Sequence, residues 1–189
     1  MSTLLDKENS EPIVAYRVRV TGLVQGAGVR PTVARWATSV GVVGWVRNDV
    51  DGIEVHLEGF AYAVEQVLCR VDSLRSPFDK RWKRDVIPVA PVHGASFQIV
   101  PTDTDGPLAA PVPLDRKICP ECLSDGLGKG PSRYAGYAWV SCANCGPRYS
   151  MIEQMPFDRE RTSMRRFPMC QACATSYDHA ADRRFHAEG

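Results

Sequence analysis

The sequence predicts an α+β fold: a ferredoxin-like βαββαβ domain over residues 13–100, followed by a small cysteine-stapled segment. Three observations predict it. Apolar residues alternate with period two in several short stretches before residue 100. Two stripes of helical spacing interrupt those stretches. Six of the seven cysteines then fall into three CxxC pairs after residue 118.

The elements follow in order. Residues 1–12 read as a polar, disordered tail, without the apolar run of a signal peptide. Tyr16, Val18 and Val20 alternate with Arg17, Arg19 and Thr21 as a first strand. Gly22–Gly28 breaks that pattern with three glycines. Val33, Trp36, Ala37 and Val40 form a helical stripe, with Pro31 in its first turn and Gly41 at the C-terminal cap position. Val42–Asn48 reads as a second strand. Ile53, Val55 and Leu57, alternating with Glu54, His56 and Glu58, read as a third. Asp51-Gly52 supplies the hairpin turn between them. Val64, Val67, Leu68 and Val71 repeat the helical stripe. Weaker strands fall within Arg81–Val89 and Ala95–Val100. Both helices are expected on one face of an antiparallel sheet.

Residues 101–117 read as a Pro-rich linker, with four prolines between Pro101 and Pro113. Few core contacts are expected across it, so the two halves should unfold independently. Residues 118–189 are poor in aliphatic side chains. A segment of about 70 residues so composed needs a staple to fold.

Composition excludes several function classes. The chain has 189 residues, 44% of them apolar, and 23 basic against 22 acidic side chains, a formal net charge of +1. No global field favours nucleic acid or a membrane surface. No stretch approaches the roughly 20 apolar residues of a membrane helix. Paired CxxC without an export signal reads as metal ligation in a cytoplasmic protein.

Chemistry concentrates in two places. The loop Gln25, Gly26, Ala27, Gly28, Val29 and Arg30 joins a strand to a helix, where backbone N–H groups converge on an anion. Gly26 and Gly28 allow the positive φ angles of such a nest. Arg30 can give two parallel hydrogen bonds to phosphate oxygens. The plainer alternative is a structural turn with a solvent-facing arginine. Further on, Cys119, Cys122, Cys142 and Cys145 have the spacing of a closed tetrahedral zinc-ribbon site, a structural Zn(II). Cys170 and Cys173 form a third pair, for which His179 and His186 are candidate partners, although each alone reads as an ordinary surface histidine.

The loop, with Gly44-Trp45-Val46-Arg47-Asn48 and Asp51-Gly52, resembles the acylphosphatase signature across roughly residues 13–100. Ala27 and Val29 stand where relatives commonly carry Val and Phe. The resemblance implies that Arg30 binds the phosphoryl group and Asn48 positions the attacking water, with no metal or covalent intermediate in catalysis. The second half, through Cys119-Pro-Glu-Cys122, Cys142-Ala-Asn-Cys145-Gly-Pro-Arg-Tyr, Met155-Pro-Phe-Asp158-Arg159, Phe167-Pro-Met-Cys170-Gln-Ala-Cys173 and Asp182-Arg-Arg-Phe-His186, resembles the zinc-finger segment of the hydrogenase maturation carbamoyltransferases, the HypF family. That family continues with a fourth CxxC, an adenylating domain and a transfer domain, none of which this sequence contains.

The resemblance implies hydrolysis of carbamoyl phosphate or another small acyl phosphate, the opening step of carbamoyl transfer in NiFe-hydrogenase maturation. It also implies contact with other hydrogenase maturation proteins. The rival expectation is a catalytically idle, zinc-stapled docking module using Arg159, Arg161, Arg165, Arg166, Arg183 and Arg184.

Overall fold

The structure, a computed structural model, describes residues 12–26, 28–75 and 79–187. The expected tail and Ala27 of the glycine loop therefore lie outside the described residues.

Five strands form one sheet in the order β4-β1-β3-β2-β5: β1 (Ile13–Thr21), β2 (Val43–Asn48), β3 (Gly52–Phe60), β4 (Lys83–Pro88) and β5 (Phe97–Ile99). β1 lies against β3 with Val18 opposite Val55, and β3 against β2 with Val55 opposite Val46. These pairs and β1–β4 are antiparallel, whereas β5 runs parallel to β2. The sheet is thus mixed rather than antiparallel. The chain leaving β4 crosses to the far edge, and β5 enters there in the direction of β2.

Helices α1 (Val29–Ser39) and α2 (Ala61–Asp72) cover the face bearing Val18, Val20, Val46, Ile53, Val55 and Leu57. Val33, Ala37, Val64, Val67 and Val71 join those residues in one buried cluster, the expected stripes meeting the expected strands. Gly41 ends α1 at φ +73, with its N–H on Thr38 O and the Val42 N–H on Ala37 O. That double return is a Schellman cap, which favours glycine because a Cβ is strained at positive φ.

The opposite sheet face is polar yet also buried along β3. Glu54 meets Arg17 and Arg47, Glu58 accepts the Val92 and His93 N–H groups, and His56 stacks on Trp45. Alternation in β3 therefore marks two chemical faces rather than an inside and an outside.

Beyond the sheet, a second, smaller core consists mainly of thiols. Cys119, Cys122, Cys142, Cys145 and Val140 are buried together, with Ile118, Tyr134 and Tyr137 against them. Two short helices, α3 (Pro120–Gly126) and α4 (Gln171–Asp178), begin directly after Cys119 and Cys170.

The expectation of few contacts between the halves is not met. Asp103 N–H bonds Asn48 O, and Ala109 and Ala110 N–H both bond Val50 O, so the Pro-rich segment follows the β2–β3 turn. Arg35 on α1 donates to the Ala180 and Asp182 carbonyls at 2.6 and 2.7 Å. Proline removes backbone donors, but it does not prevent a segment from lying along a surface that offers acceptors. No helix among the described residues is long and apolar enough to cross a membrane.

Candidate active site and metal centre

The glycine loop leaves β1 at Thr21 and enters α1 at Val29. Asp79 fixes its start, accepting the Leu23 N–H at 2.5 Å. Gly26 and Gly28 adopt φ +70 and +71, and Gly28 is the N-cap of α1. A Cβ at Gly28 would also stand 1.8 Å from Ala143 O. Glycine is thus required there both by backbone conformation and by the second half of the chain.

Gln25, only 2% exposed, holds the loop with its side chain. Its Nε2 donates to the Asp49 and Gly52 carbonyls at 2.7 and 2.6 Å, and its Oε1 accepts the Phe157 N–H at 2.7 Å. The side chain is fully engaged in structure, which leaves the backbone to the loop. Val29, the first residue of α1, is buried in the core.

Arg30, in the first turn of α1, is 6% exposed, not solvent-facing. Its Nη1 lies 3.1 Å from Asp158 Oδ2. Thr102 Oγ1 donates to the same oxygen. Burial raises the Asp158 carboxyl, but the Arg30 charge and the hydrogen bonds from Thr102 and the Arg159 N–H outweigh it and hold it below the usual carboxylate range. Asn48, at the end of β2, points its Nδ2 at the Phe157 carbonyl. Arg30 and Asn48 line one cavity of about 20 Å³, the space of a single water. The residues 155–158 thus form a strap across both polar groups expected at the site.

The second half supplies further walls. Ser141, Ala143, Pro147, Phe157 and His186 line the same cavity. His186 therefore does not join the third CxxC pair. It packs against Tyr177 and Phe185, and burial followed by the Arg30 charge pushes its imidazole down to about 4. His179 caps the far end of α4, about 9 Å along the helix axis from Cys173. Cys170 is exposed and Cys173 half-buried, and no third ligating group among the described residues converges on them.

Cys119, Cys122, Cys142 and Cys145 do converge. Their sulfurs all lie within 4.8 Å of one another. The Cys119–Cys142, Cys142–Cys145 and Cys145–Cys122 separations are 3.8, 3.8 and 3.9 Å. A tetrahedron of thiolates about 2.3 Å from a central cation has edges of about 3.8 Å. Arg183 Nη1 approaches Cys122 Sγ at 2.9 Å and Arg148 Nη2 approaches Cys145 Sγ at 3.2 Å, offsetting thiolate charge. The donor set fits a tetrahedral metal that prefers sulfur.

Comparison with known proteins agrees with this division. The acylphosphatase family matches residues 16–81 and the HypF finger family residues 118–152. This chain is an acylphosphatase domain joined to a HypF finger. It is 38% identical over 181 residues to the carbamoyltransferase HypF of Rhodobacter capsulatus, covering 92% of this chain and 23% of that protein. An acylphosphatase of Polaromonas naphthalenivorans is 33% identical over 100 residues, 51% of this chain and 85% of that protein. A crystal structure of full-length HypF in the phosphate- and nucleotide-bound form is 34% identical with a TM-score of 0.84, over 94% of this chain and 23% of that one. The chain spans about a fifth to a quarter of the length of the HypF relatives it matches.

In this HypF homologue, Arg30 and Asn48, singled out from the sequence, line one cavity and the four thiols converge, whereas Thr102, Ser141, Phe157 and Asp158 beside that cavity carry no expectation from the sequence. The one available signal was the Met155-Pro-Phe-Asp158-Arg159 run, which carried family resemblance without a role.

Proposed function

We propose that the first half hydrolyses small acyl phosphates, carbamoyl phosphate foremost, as the opening step of carbamoyl transfer. The observation that carries this reading is the buried Arg30. It stands at the start of α1, just after the glycine loop, and already holds an anionic oxygen at 3.1 Å. A carboxylate and a phosphoryl group make the same demand on a guanidinium, so Asp158 Oδ2 marks where a phosphoryl oxygen would sit.

Substrate exchanges with the strap. As the phosphoryl group enters the loop, Asp158 leaves Arg30 and the Phe157 carbonyl leaves Asn48 Nδ2. The freed amide orients a water in line with the scissile bond. The water oxygen bonds to phosphorus, and the P–O bond to the acyl oxygen breaks. Carbamate departs with the electron pair, while the water's protons remain with the phosphate until solvent removes one. Loop N–H groups and Arg30 hold the equatorial charge, and nothing else is needed, because an acyl phosphate is already activated.

The cation at Cys119, Cys122, Cys142 and Cys145 is Zn(II) in a structural role, on the closed four-thiolate geometry and the finger family match. When bound, it neutralises the thiolates and fixes the turn that carries Ser141 and Ala143. A nucleic-acid docking face gains little support. Arg165 pairs with Glu153, Arg183 and Arg184 with Asp125, and Arg159 and Arg161 with the Phe167 and Met155 carbonyls.

Phosphate release from carbamoyl phosphate and acetyl phosphate tests the reading. Turnover that disappears in Arg30→Ala supports it. Absence of turnover by the intact chain on both substrates refutes it.

A further inference from the structure

We propose that Ser141, contributed by the metal-bound half, is a specificity-determining residue that receives the acyl end of the substrate and favours an amide-bearing acyl group. This rests on the acyl phosphate reading above.

Ser141 is 3% exposed, and its Oγ has no hydrogen-bond partner among the described residues. A buried hydroxyl left unpaired is costly, so such an atom calls for an explanation. It lines the cavity shared by Arg30 and Asn48. The phosphoryl end of a substrate is taken by Arg30 and the loop, which belong to the first half. The acyl end is then left to the rest of the lining, to which the second half contributes Ser141, Ala143 and His186. Ser141 immediately precedes the ligand Cys142, and the Ala143 N–H is held by Arg183 O at 2.9 Å, so the wall is rigid where it meets the substrate.

The wall is also chemically selective. A serine hydroxyl offers two acceptor lone pairs. His186 adds an imidazole that burial and Arg30 keep neutral at ordinary pH, with one ring nitrogen able to accept. A carbamoyl NH₂ brings two donors to these acceptors, whereas an acetyl methyl brings none. Sites built to hydrogen-bond a substrate N–H discriminate sharply against analogues that lack it.

The experiment compares kcat/KM for carbamoyl phosphate and acetyl phosphate in the intact chain and in Ser141→Ala. The intact chain should prefer carbamoyl phosphate. Ser141→Ala should lose about tenfold on carbamoyl phosphate, with acetyl phosphate changing less than about threefold. The ratio does not depend on the fraction of active protein, so partial misfolding cannot mimic the result. Affinity for inorganic phosphate should stay unchanged, because phosphate touches only the other end. An unchanged ratio in Ser141→Ala, or no preference in the intact chain, overturns the role of Ser141 while leaving acyl phosphate hydrolysis standing. Failure of the intact chain on both substrates removes the reading beneath it and the inference together.

Discussion

Arg30 Nη1 and Asp158 Oδ2 stand 3.1 Å apart, although 128 residues separate them in the sequence. The pair joins the start of α1 in one half to the strap of the other, and under the proposed function phosphate would compete with a carboxylate of the same chain for Arg30. Asp158→Asn removes the competing charge while keeping the shape. Without phosphate, Arg30 loses its ion pair with Asp158; because Asp158 is partly exposed, the cost is about 1–3 kcal/mol, about 2–12 °C in Tm for a chain of this size. With phosphate present, the variant should bind it more tightly and gain more in Tm than the parent does. Equal gains in parent and variant would show that Asp158 and phosphate do not share Arg30.

Arg30→Ala should reduce phosphate release by about 10²–10³-fold, the usual loss when a charge-stabilising donor is removed. Asn48→Ala should reduce turnover comparably, yet leave affinity for inorganic phosphate nearly intact, because its amide faces the water position. Steady-state kinetics beside phosphate titration separates the two roles. A parallel collapse of phosphate binding in Asn48→Ala would reassign that side chain to the phosphoryl group.

Removing the metal should impair catalysis as well as the second half. Ala143 O abuts Gly28 in the loop, and Ser141 lines the cavity beside Arg30. One tight equivalent of zinc is expected, lost in a Cys119→Ser, Cys122→Ser variant, with phosphate release falling alongside it. Metal analysis and activity measured on the same chelated samples decide the matter. Full activity in metal-free protein would mean that the loop holds its shape without the finger.

Stability should depend on pH through His186. Its folded value of about 4 lies below the ordinary 6.5, so the unfolded chain binds the extra proton between those limits. Stability is then fully present above about 6.5 and falls as pH drops toward about 4. Asp158, held below its ordinary 3.8, adds a further loss only in more acidic solution. Tm measured from pH 7 to pH 4 should show a shallower decline in His186→Gln than in the parent. Identical slopes would place the titration elsewhere.

What the sequence determined by itself is what local chemistry dictates. Alternation placed β1, β2 and β3, helical spacing placed α1 and α2, and Gly41 marked the end of α1, since these signals act over a few residues. The four thiols were legible for the same reason, because CxxC confines two ligands to one turn. Period two could not tell that the Glu54 and His56 face would also be buried, since a polar face reads identically under water or under Trp45 and Arg47. Nor did any local pattern mark Phe157, Asp158 and Ser141 as neighbours of Arg30 and Asn48. Their roles depend on contacts across more than 90 residues, and a carboxylate, a carbonyl or a hydroxyl carries no sequence signal for the distant group it meets. Only the tertiary structure brings the strap onto Arg30 and Asn48. Buried polar groups must find partners, and here the nearest ones belong to the other half of the chain.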